Sequence, residues 1–188
     1  MQGLAGVTQP LVKALVILNT DGKRLCSRFC DKSLWPTLES ERTFETSLVR
    51  KLQGMGDLSD EVDLMEFSDF VVAYKQNDNV LLFVVADREE NELVMTEVCT
   101  TLDEILHQVL GVGGIYEENV LQNLQWLLLI VDELVDQEGV IMEINAADLV
   151  ERIGHGQSTF GGDLGIGEQT LSQALQTARD QITRSILS

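Results

Sequence analysis

Four acidic side chains, Asp132, Glu133, Asp136 and Glu138, lie close together in the stretch VDELVDQEG, residues 131–139. The apolar pattern before them predicts a helix that ends here, and the carboxyl end of a helix already carries a partial negative charge. Carboxylates are unfavourable there unless a metal ion, a basic surface or water compensates them. Asp132 and Asp136 have the spacing of two metal ligands on one helix face, but no histidine accompanies them. Solvation and a basic protein surface remain the main explanations, and lysines of an earlier hairpin offer part of the compensation within the fold.

The histidines and cysteines do not indicate a catalytic or metal site. His107 falls in the last turn of a predicted helix and His155 in a glycine-rich stretch, neither with a Cys or Asp at a recognisable triad or metal spacing. Cys26 and Cys30 are four residues apart on a predicted strand, so they share a face but lie roughly 13 Å apart. That distance is too long for a disulfide. We therefore expect no catalysis, no metal and no cofactor, and interpret these cysteines as small apolar fillers.

The glycine-rich stretch GHGQSTFGGDLGIG, residues 154–167, has the composition of a phosphate-binding loop. It has no Lys followed by Ser or Thr after its glycines, and no strand clearly precedes it, so a nucleotide site is not expected. Because glycine loses much conformational freedom on ordering, the stretch is predicted to be a flexible loop.

The formal net charge of -18 is unevenly distributed. Residues 1–55 hold eight Lys and Arg against five Asp and Glu, whereas residues 56–188 hold five against 26. So acidic a body is repelled by nucleic-acid phosphates and anionic lipid headgroups, because binding to either depends on Lys and Arg. Nucleic-acid binding is therefore not expected, and any membrane association is expected to be indirect. A basic protein partner and simple solubility are both compatible with the charge.

The cysteine number and the first residues indicate a reducing, cytoplasmic compartment. Three cysteines are an odd number, and the chain begins without a charged region followed by an apolar one. The longest apolar runs, residues 80–86 and 126–131, are far shorter than the roughly 20 residues of a membrane span. We expect a cytoplasmic protein that something else holds at any membrane.

Hydrophobic periodicity predicts a β-hairpin, a helix and three further strands in the first half of the chain. Residues 12–19 (VKALVILN) are apolar at nearly every position, and an Asp-Gly turn separates them from the alternating residues 24–30. Pro36 is well placed to begin a helix that ends at Gly54. Short polar breaks then separate three strands of an antiparallel meander, the last of them an interior strand, at residues 62–67, 70–75 and 80–86.

Helices dominate the second half. Asp87 followed by Glu90 is a capping box that predicts a helix start, and Gly111 ends that helix. A second long helix is predicted from Glu117 to about Gln137. It has more apolar surface than a helix packed on one side needs, so we expect cover on more than one side. The remaining elements are a short strand-like segment and two helices, at residues 140–144, 146–153 and 168–188.

This order of elements indicates an α+β protein with an antiparallel sheet rather than alternating strands and helices. We divide the chain into a flexible lead at residues 1–10, one domain at residues 11–153, and a glycine-rich loop with a C-terminal helix at residues 154–188.

Several stretches resemble the zeta-subunit family of coatomer, within the small subunits of adaptor complexes. They are KALVILNTDGKRLCSRFCD at residues 13–31, Pro36 with the Phe44-Glu45 pair, ENELVM after VLLFVVADRE, and VDELVDQEGVIME at residues 131–143. The resemblance runs from about residue 10 to the C-terminus. The last of these motifs and the final EQTLSQALQTARDQI separate this family from its relatives.

The resemblance implies a longin-like (SNARE-like) fold, a five-stranded antiparallel sheet with helices on both sides, here with a C-terminal helical extension. It implies a non-catalytic subunit that pairs with the trunk of the large gamma subunit inside the heptameric COPI coat. An Arf-type GTPase recruits that coat to Golgi membranes for retrograde Golgi-to-ER and intra-Golgi transport. Asp132, Glu133 and Asp136 are then expected to meet a basic surface of the large subunit, and Trp126 to anchor the contact if it is exposed.

Two other interpretations stay open. A sigma-type small subunit of a clathrin adaptor shares the fold, but such chains are shorter, start almost directly with the first strand, and are expected to bind dileucine sorting signals. A longin-like regulator of a small GTPase belongs to a different class, and accelerated nucleotide exchange on an Arf- or Rab-type protein would identify it.

Overall fold

Five strands and five helices follow one another in the computed structural model, which describes residues 9–56, 59–111 and 114–159. The strands are β1 Val12–Asn19, β2 Arg24–Phe29, β3 Asp63–Phe67, β4 Phe70–Asn77 and β5 Val80–Asp87. The helices are α1 Leu38–Gln53, α2 Glu92–Leu110, α3 Glu117–Gln122, α4 Leu124–Leu134 and α5 Ala146–Thr159.

The five strands form one antiparallel sheet in the order β2-β1-β5-β4-β3. The strand β5 lies at its centre, where Phe83 pairs with Val16 on one side and Tyr74 on the other. A central strand with both faces covered needs apolar residues at every position, which explains the run VLLFVVA. The predicted hairpin, meander and interior strand are confirmed.

Helices cover both faces of the sheet, and each face has its own apolar core. Because successive strand residues point to opposite faces, Ala14 and Val16 of β1 pack on the side of α1, whereas Leu15 and Ile17 pack on the side of α2 and α4. The predicted fold class, a five-stranded antiparallel sheet with helices on both sides, is confirmed.

The start of α2 differs from the prediction. Asp87 and Glu90 do not form a capping box, because Asp87 pairs with Phe70 as the last residue of β5. The helix begins after Asn91, whose side-chain oxygen accepts a hydrogen bond from the backbone N–H of Leu93 at 3.0 Å. Asp87 instead forms an ion pair with Lys13 of β1 at 3.3 Å. The predicted end of this helix at Gly111 is confirmed.

The single helix predicted from Glu117 to about Gln137 is wrong. It is two helices that meet at Asn123, whose backbone φ of -112° and ψ of 26° lie outside the helical range. The Asn123 side-chain amide donates to the carbonyl oxygen of Asn119 at 2.9 Å, which satisfies the interrupted backbone. The second of the two helices ends at Leu134. The strand-like segment predicted beyond it makes only isolated bridges, from Leu11 to Val140 and from Val135 to Ile141.

Two other helices differ at their ends. The first helix, α1, begins at Leu38 with Thr37 as its N-cap rather than at Pro36. The short helix predicted to stop at residue 153 continues to Thr159, so residues 154–159 are helical and were wrongly assigned to a flexible loop. The predicted helix at residues 168–188, the rest of that loop, and residues 1–8 of the lead lie outside the described residues. Within the described ranges, none of the helices is long and apolar enough to cross a membrane.

Candidate functional site

The acidic end of α4 is compensated from within the chain. Asp132 and Glu133 lie in the last turn of this helix, and Arg28 of the edge strand β2 reaches Asp132. Its guanidinium donates to the Asp132 carboxylate and to the carbonyl oxygen of Val135, the latter at 2.7 Å. One arginine thus neutralises a carboxylate and satisfies a carbonyl left free at the helix end. The compensating charge within the fold is this arginine rather than a lysine of the hairpin.

The prediction that Asp136 shares a helix face with Asp132 is wrong. The helix has already ended, and the Asp136 carboxylate accepts hydrogen bonds from the backbone N–H groups of Glu138 and Val140, both at 2.8 Å. Its side chain therefore closes a turn, and the two aspartates are not placed as a pair of metal ligands. Across the residues that the structure describes, no group of three His, Cys, Asp or Glu could hold a metal ion.

Of the Asp132, Glu133 and Asp136 carboxylates, that of Glu133 is the one that the fold holds least. Its side chain is 42% exposed, and the nearest cation, Arg152 of α5, is 3.9 Å away. Arg152 makes its shorter contact, 3.1 Å, with Glu143. Glu133 is therefore the best placed of the three predicted acidic residues to meet a basic surface on another molecule.

Trp126 does not meet the condition set for an anchor. It is only 9% exposed and packs in the core beneath α4 with Leu127 and Ile130. A buried indole contributes to the stability of the helix but offers no surface to a partner.

Leucines rather than the tryptophan are exposed on α3 and α4. Leu121 is 42% exposed, Leu128 50% and Leu129 42%, and Leu124 is half-buried. We call these four residues the leucine ridge. The excess of apolar positions in the sequence indicated a second covered side of this segment, but not which residues form it.

The leucine ridge runs directly into the acidic end of α4. Residues four apart are neighbours on a helix, so Leu128 adjoins Asp132 and Leu129 adjoins Glu133. Single exposed leucines are ordinary, but a group of them beside charged residues is typical of a protein-binding surface. The arrangement suits a partner with an apolar groove and a basic rim.

A second apolar surface lies on the other face of the sheet, between α1 and the β3–β4 hairpin. It is an open groove of about 620 Å³ with Trp35, Phe44, Phe67 and Phe70 among its lining residues. These rings pack on one another: the centroid of Trp35 lies 5.5 Å from that of Phe70 in a stacked arrangement and 4.8 Å from that of Phe44 in a tilted one. The groove is thus the outer side of an aromatic core cluster.

The cysteines are placed as small core residues. Cys26 and Cys99 are buried, and the Cys30 thiol donates to the carbonyl oxygen of Asp136 at 3.8 Å. Burial raises the pKa of the Cys30 thiol to about 11 and also raises those of Cys26 and Cys99. A protonated thiol is a poor nucleophile. The interpretation of Cys26 and Cys30 as apolar fillers is supported by this geometry.

The two histidines have different surroundings. The Nδ1 atom of His107 lies 2.9 Å from the carbonyl oxygen of Asp103, one turn earlier in α2. The Asp103 carboxylate itself is engaged by Lys75 at 2.9 Å and Asn77 at 2.6 Å, which ties α2 to β4. His155 lies in the helical continuation of α5.

Sequence comparison finds a matching family model and similar proteins of nearly the same length. The model of the clathrin adaptor complex small chain family matches residues 11–159. Coatomer subunit zeta-3 of Oryza sativa subsp. japonica is 33% identical, with 95% of this chain and 98% of that protein covered. Human coatomer subunit zeta-1 is 34% identical, with 94% of this chain and 93% of that protein covered.

Structural comparison finds a similar fold in an adaptor complex. A chain of a homology model of the full-length AP-3 complex, in a stretched open conformation, superposes with a TM-score of 0.58. It is 16% identical and covers 79% of this chain and 95% of its own length. The likeness at this identity concerns the fold alone, which is that of adaptor small subunits.

Proposed function

From the premise that the chain belongs to the clathrin adaptor complex small chain family, as a small subunit of a coat adaptor, we propose that it is the zeta-type subunit of a coatomer coat. The observation that carries the proposal is the extent of the similarity to coatomer zeta subunits. It covers 95% of the chain, including residues beyond the stretch that the adaptor small chain model matches. The role is assembly, not catalysis.

Its direct partner is the trunk of a large gamma-type subunit, and the rest of the heptamer assembles around that pair. An Arf-type GTPase recruits the complex, so this chain reaches the membrane only as part of the coat. The coat acts in retrograde Golgi-to-ER and intra-Golgi transport. The expected location is the cytoplasm and the surface of Golgi membranes and coated vesicles.

The leucine ridge is the surface that contacts the large subunit in this proposal. Each of its exposed leucines gains roughly 1 kcal/mol when the remaining half of its side chain is buried. Glu133 lies beside them with only a distant cation, and Asp132 keeps part of its charge exposed while Arg28 fixes its position. Asp136 supports the contact indirectly, because its side chain stabilises the turn after α4. Trp126 also acts indirectly, because its buried side chain packs α4 against the core.

Introducing positive charge at the exposed leucines tests this surface. The variant Leu128→Lys/Leu129→Lys, co-expressed with the trunk of the gamma-type subunit, is expected to weaken the pair by at least about tenfold in Kd. The matched control is Leu93→Lys, because Leu93 is 79% exposed and belongs to a different helix, α2. The two variants should unfold at the same denaturant concentration as the native chain. Equal co-purification of both variants would refute the ridge as the contact.

Reversal of Asp132 and Asp136 is a poorer test, because both side chains hold the fold of the chain itself. Glu133→Lys is the better substitution in the acidic group. It should raise the Kd of the complex with the large subunit about three- to fivefold. This loss should shrink in high salt, because the Glu133 carboxylate is partly exposed.

The alternatives are separate outcomes of two further assays. Binding of a dileucine sorting peptide in titration would favour a sigma-type subunit of a clathrin adaptor. Accelerated nucleotide exchange on an Arf- or Rab-type GTPase by this chain alone would favour a longin-like regulator.

A further inference from the structure

Helix α3 carries part of the leucine ridge but has little apolar packing of its own. It is six residues long, and Val120 is buried whereas its other residues are half-buried or exposed. Isolated helices shorter than about 12–15 residues are only marginally stable in water, because helix nucleation is unfavourable. Contacts with the rest of the chain must therefore hold α3 in place, and with it Leu121 of the ridge.

The N-terminus of α3 is capped from a distant turn. Tyr116 is the N-cap, and within the described residues its side chain makes no hydrogen bond to the helix. The backbone N–H of Glu117 donates instead to the side-chain oxygen of Asn79, between β4 and β5, at 3.0 Å. This contact satisfies one of the N–H groups that have no partner within the helix. The start of α3 thus depends on a residue 38 positions earlier in the chain.

The Glu117 side chain makes a second connection, to the turn between β1 and β2. Its carboxylate accepts hydrogen bonds from the Nδ2 atom of Asn19 at 3.0 Å and from the Nζ atom of Lys23 at 3.4 Å. Asn19 is only 5% exposed, and its Oδ1 atom accepts from the backbone N–H of Lys23 at 2.7 Å, which fixes the orientation of its amide. The hydrogen bond from Asn19, followed by that from Lys23, holds the pKa of Glu117 below its usual value. The carboxylate is therefore charged, and hydrogen bonds to a charged acceptor are the stronger kind.

The two turns are also joined to each other. The backbone N–H of Thr20 donates to the carbonyl oxygen of Asn79 at 3.0 Å. Asn19, Lys23 and Asn79 therefore belong to one connected support at this end of the sheet, and Glu117 joins α3 to it through both its backbone and its side chain. We call the contacts of Glu117 with Asn19, Lys23 and Asn79 the Glu117 network.

Helix α4 is positioned by other contacts. Arg28 binds its C-terminal end through Asp132 and the Val135 carbonyl oxygen. Its buried side chains are Trp126, Leu127, Ile130, Val131 and Leu134. Loss of the Glu117 network should therefore leave Leu128 and Leu129 in place and allow α3 to shift with Leu121.

We infer that Glu117 is a positioning residue for the leucine ridge, which it acts on by fixing α3 to the turns of the sheet. The effect on partner binding rests on the proposed function, whereas the positioning of α3 does not. Only molecules whose ridge is correctly arranged are fully competent to bind the large subunit. The Glu117 network thus raises the apparent affinity for the large subunit by increasing that fraction.

Hydrogen exchange of the backbone amides tests the positioning of α3. In Glu117→Ala the amides of Val120 and Leu121 should exchange at least about tenfold faster than in the native chain, while those of α4 are unchanged. The matched control is Glu118→Ala, which removes the same charge from an exposed neighbour in the same helical turn. It should change these rates by less than about twofold. Equal acceleration in both variants, or unchanged exchange in Glu117→Ala, would overturn the positioning.

Substitution of Asn79 tests the same network from its other side without a change of charge in the first variant. Asn79 is exposed, so Asn79→Ala leaves the core intact and should accelerate exchange in α3 as Glu117→Ala does. Asn79→Asp keeps an oxygen that can accept from the Glu117 N–H and should restore slow exchange. Slow exchange in Asn79→Ala would show that this cap does not hold the helix.

Affinity for the large subunit tests the consequence for binding. Glu117→Ala and Asn79→Ala should raise the Kd for the gamma-type trunk about three- to tenfold, whereas Glu118→Ala and Asn79→Asp should leave it unchanged. Faster exchange with an unchanged Kd would overturn the role in binding and leave Glu117 with a structural role alone. Failure of the native chain to bind the trunk would refute the coat function, and the exchange rates would still decide whether the Glu117 network positions α3.

Discussion

Two arginines of the edge strand β2 connect the sheet to helices on its opposite faces. Arg28 contacts the end of α4, and Arg24 contacts α1, where its guanidinium donates to Glu45 at 2.7 Å and to Glu41 at 3.0 Å. Both glutamates are buried, and Arg24, with Lys32 also at 3.3 Å from Glu41, supplies the charge that makes their burial tolerable. Each arginine thus holds one helix in register with the edge of the sheet.

Loss of Arg28 should weaken the acidic end of α4. In Arg28→Gln, Asp132 loses its ion pair and the Val135 carbonyl loses a charged donor, so we expect a loss of about 1–2 kcal/mol in the free energy of unfolding. Urea denaturation measures it. Arg50→Gln, on the exposed side of α1, is the matched control and should change stability by less than about 0.5 kcal/mol. Equal effects of the two substitutions would mean that Arg28 contributes only as a surface charge.

Loss of Arg24 should produce a pH-dependent defect. In Arg24→Met the buried Glu45 carboxylate loses its ion pair, whereas Glu41 keeps Lys32 at 3.3 Å, and we expect a loss of about 2–4 kcal/mol at pH 7. Burial raises the pKa of Glu45 even in the native chain, against the opposing effect of Arg24. Without Arg24 that pKa rises further above its unfolded value.

When the pKa of a carboxyl is higher in the folded than in the unfolded protein, the folded protein becomes more stable as the pH falls from the folded pKa towards the unfolded pKa. The stability gap between Arg24→Met and the native chain should therefore narrow from pH 7 to pH 5. Chemical denaturation at the two pH values measures this gap. A gap that stays constant or widens would show that Glu45 is not the group responsible.

The segment after α4 shows how a loop can fix the position of whole elements. The carbonyl oxygen of Gly139 accepts a hydrogen bond from Val12 at 2.8 Å, and Leu11 bridges to Val140. The start of β1 is thereby attached to the segment that follows α4. Gly139 has a φ of 90°, and an added Cβ would lie 2.1 Å from the carbonyl oxygen of Val12. Only glycine allows so close an approach.

Substitution of this glycine should be costly. Gly139→Ala combines an unfavourable φ with a backbone clash, so we expect a loss of more than about 3 kcal/mol in the free energy of unfolding. Gly56→Ala is the control, because Gly56 has a φ of +87° but no atom of the described residues within 4 Å of its Cβ position. The control should lose only about 1–2 kcal/mol in thermal or urea unfolding. Similar losses in the two variants would mean that the chain relieves the clash by a small backbone shift.

The elements themselves were predictable to different degrees. Strands such as β5 were predicted to within one residue, because a continuous apolar run is bounded by polar turn residues. The start of α2 was missed because Asp87 and Asn91 both suit an N-cap, and the pairing of Asp87 in the sheet decides between them. The break at Asn123 was missed because the apolar spacing continues through it. That break also helps to set which side chains face outward. The sequence alone therefore could not distinguish the exposed leucines from the buried Trp126.

The whole molecule is an acidic body with one neutral-to-basic part. The hairpin and α1 belong to residues 1–55, where Lys and Arg outnumber Asp and Glu, and the rest of the chain carries the large negative excess. The leucine ridge and the end of α4 lie in the acidic part. A partner with a basic rim fits this surface. Salt should weaken the proposed complex moderately, because the exposed leucines are expected to supply most of the contact.

The central claim, that this chain is a subunit of a coatomer coat, is tested most directly by capture from cytosol. The chain is immobilised, cytosol is passed over it in moderate salt, and mass spectrometry identifies the retained proteins, with Leu128→Lys/Leu129→Lys as the parallel control. We predict recovery of a large gamma-type coat subunit, followed by the rest of the heptamer, and a marked loss of both with the control. Recovery of a clathrin adaptor's large chain, or of a small GTPase alone, would contradict the claim.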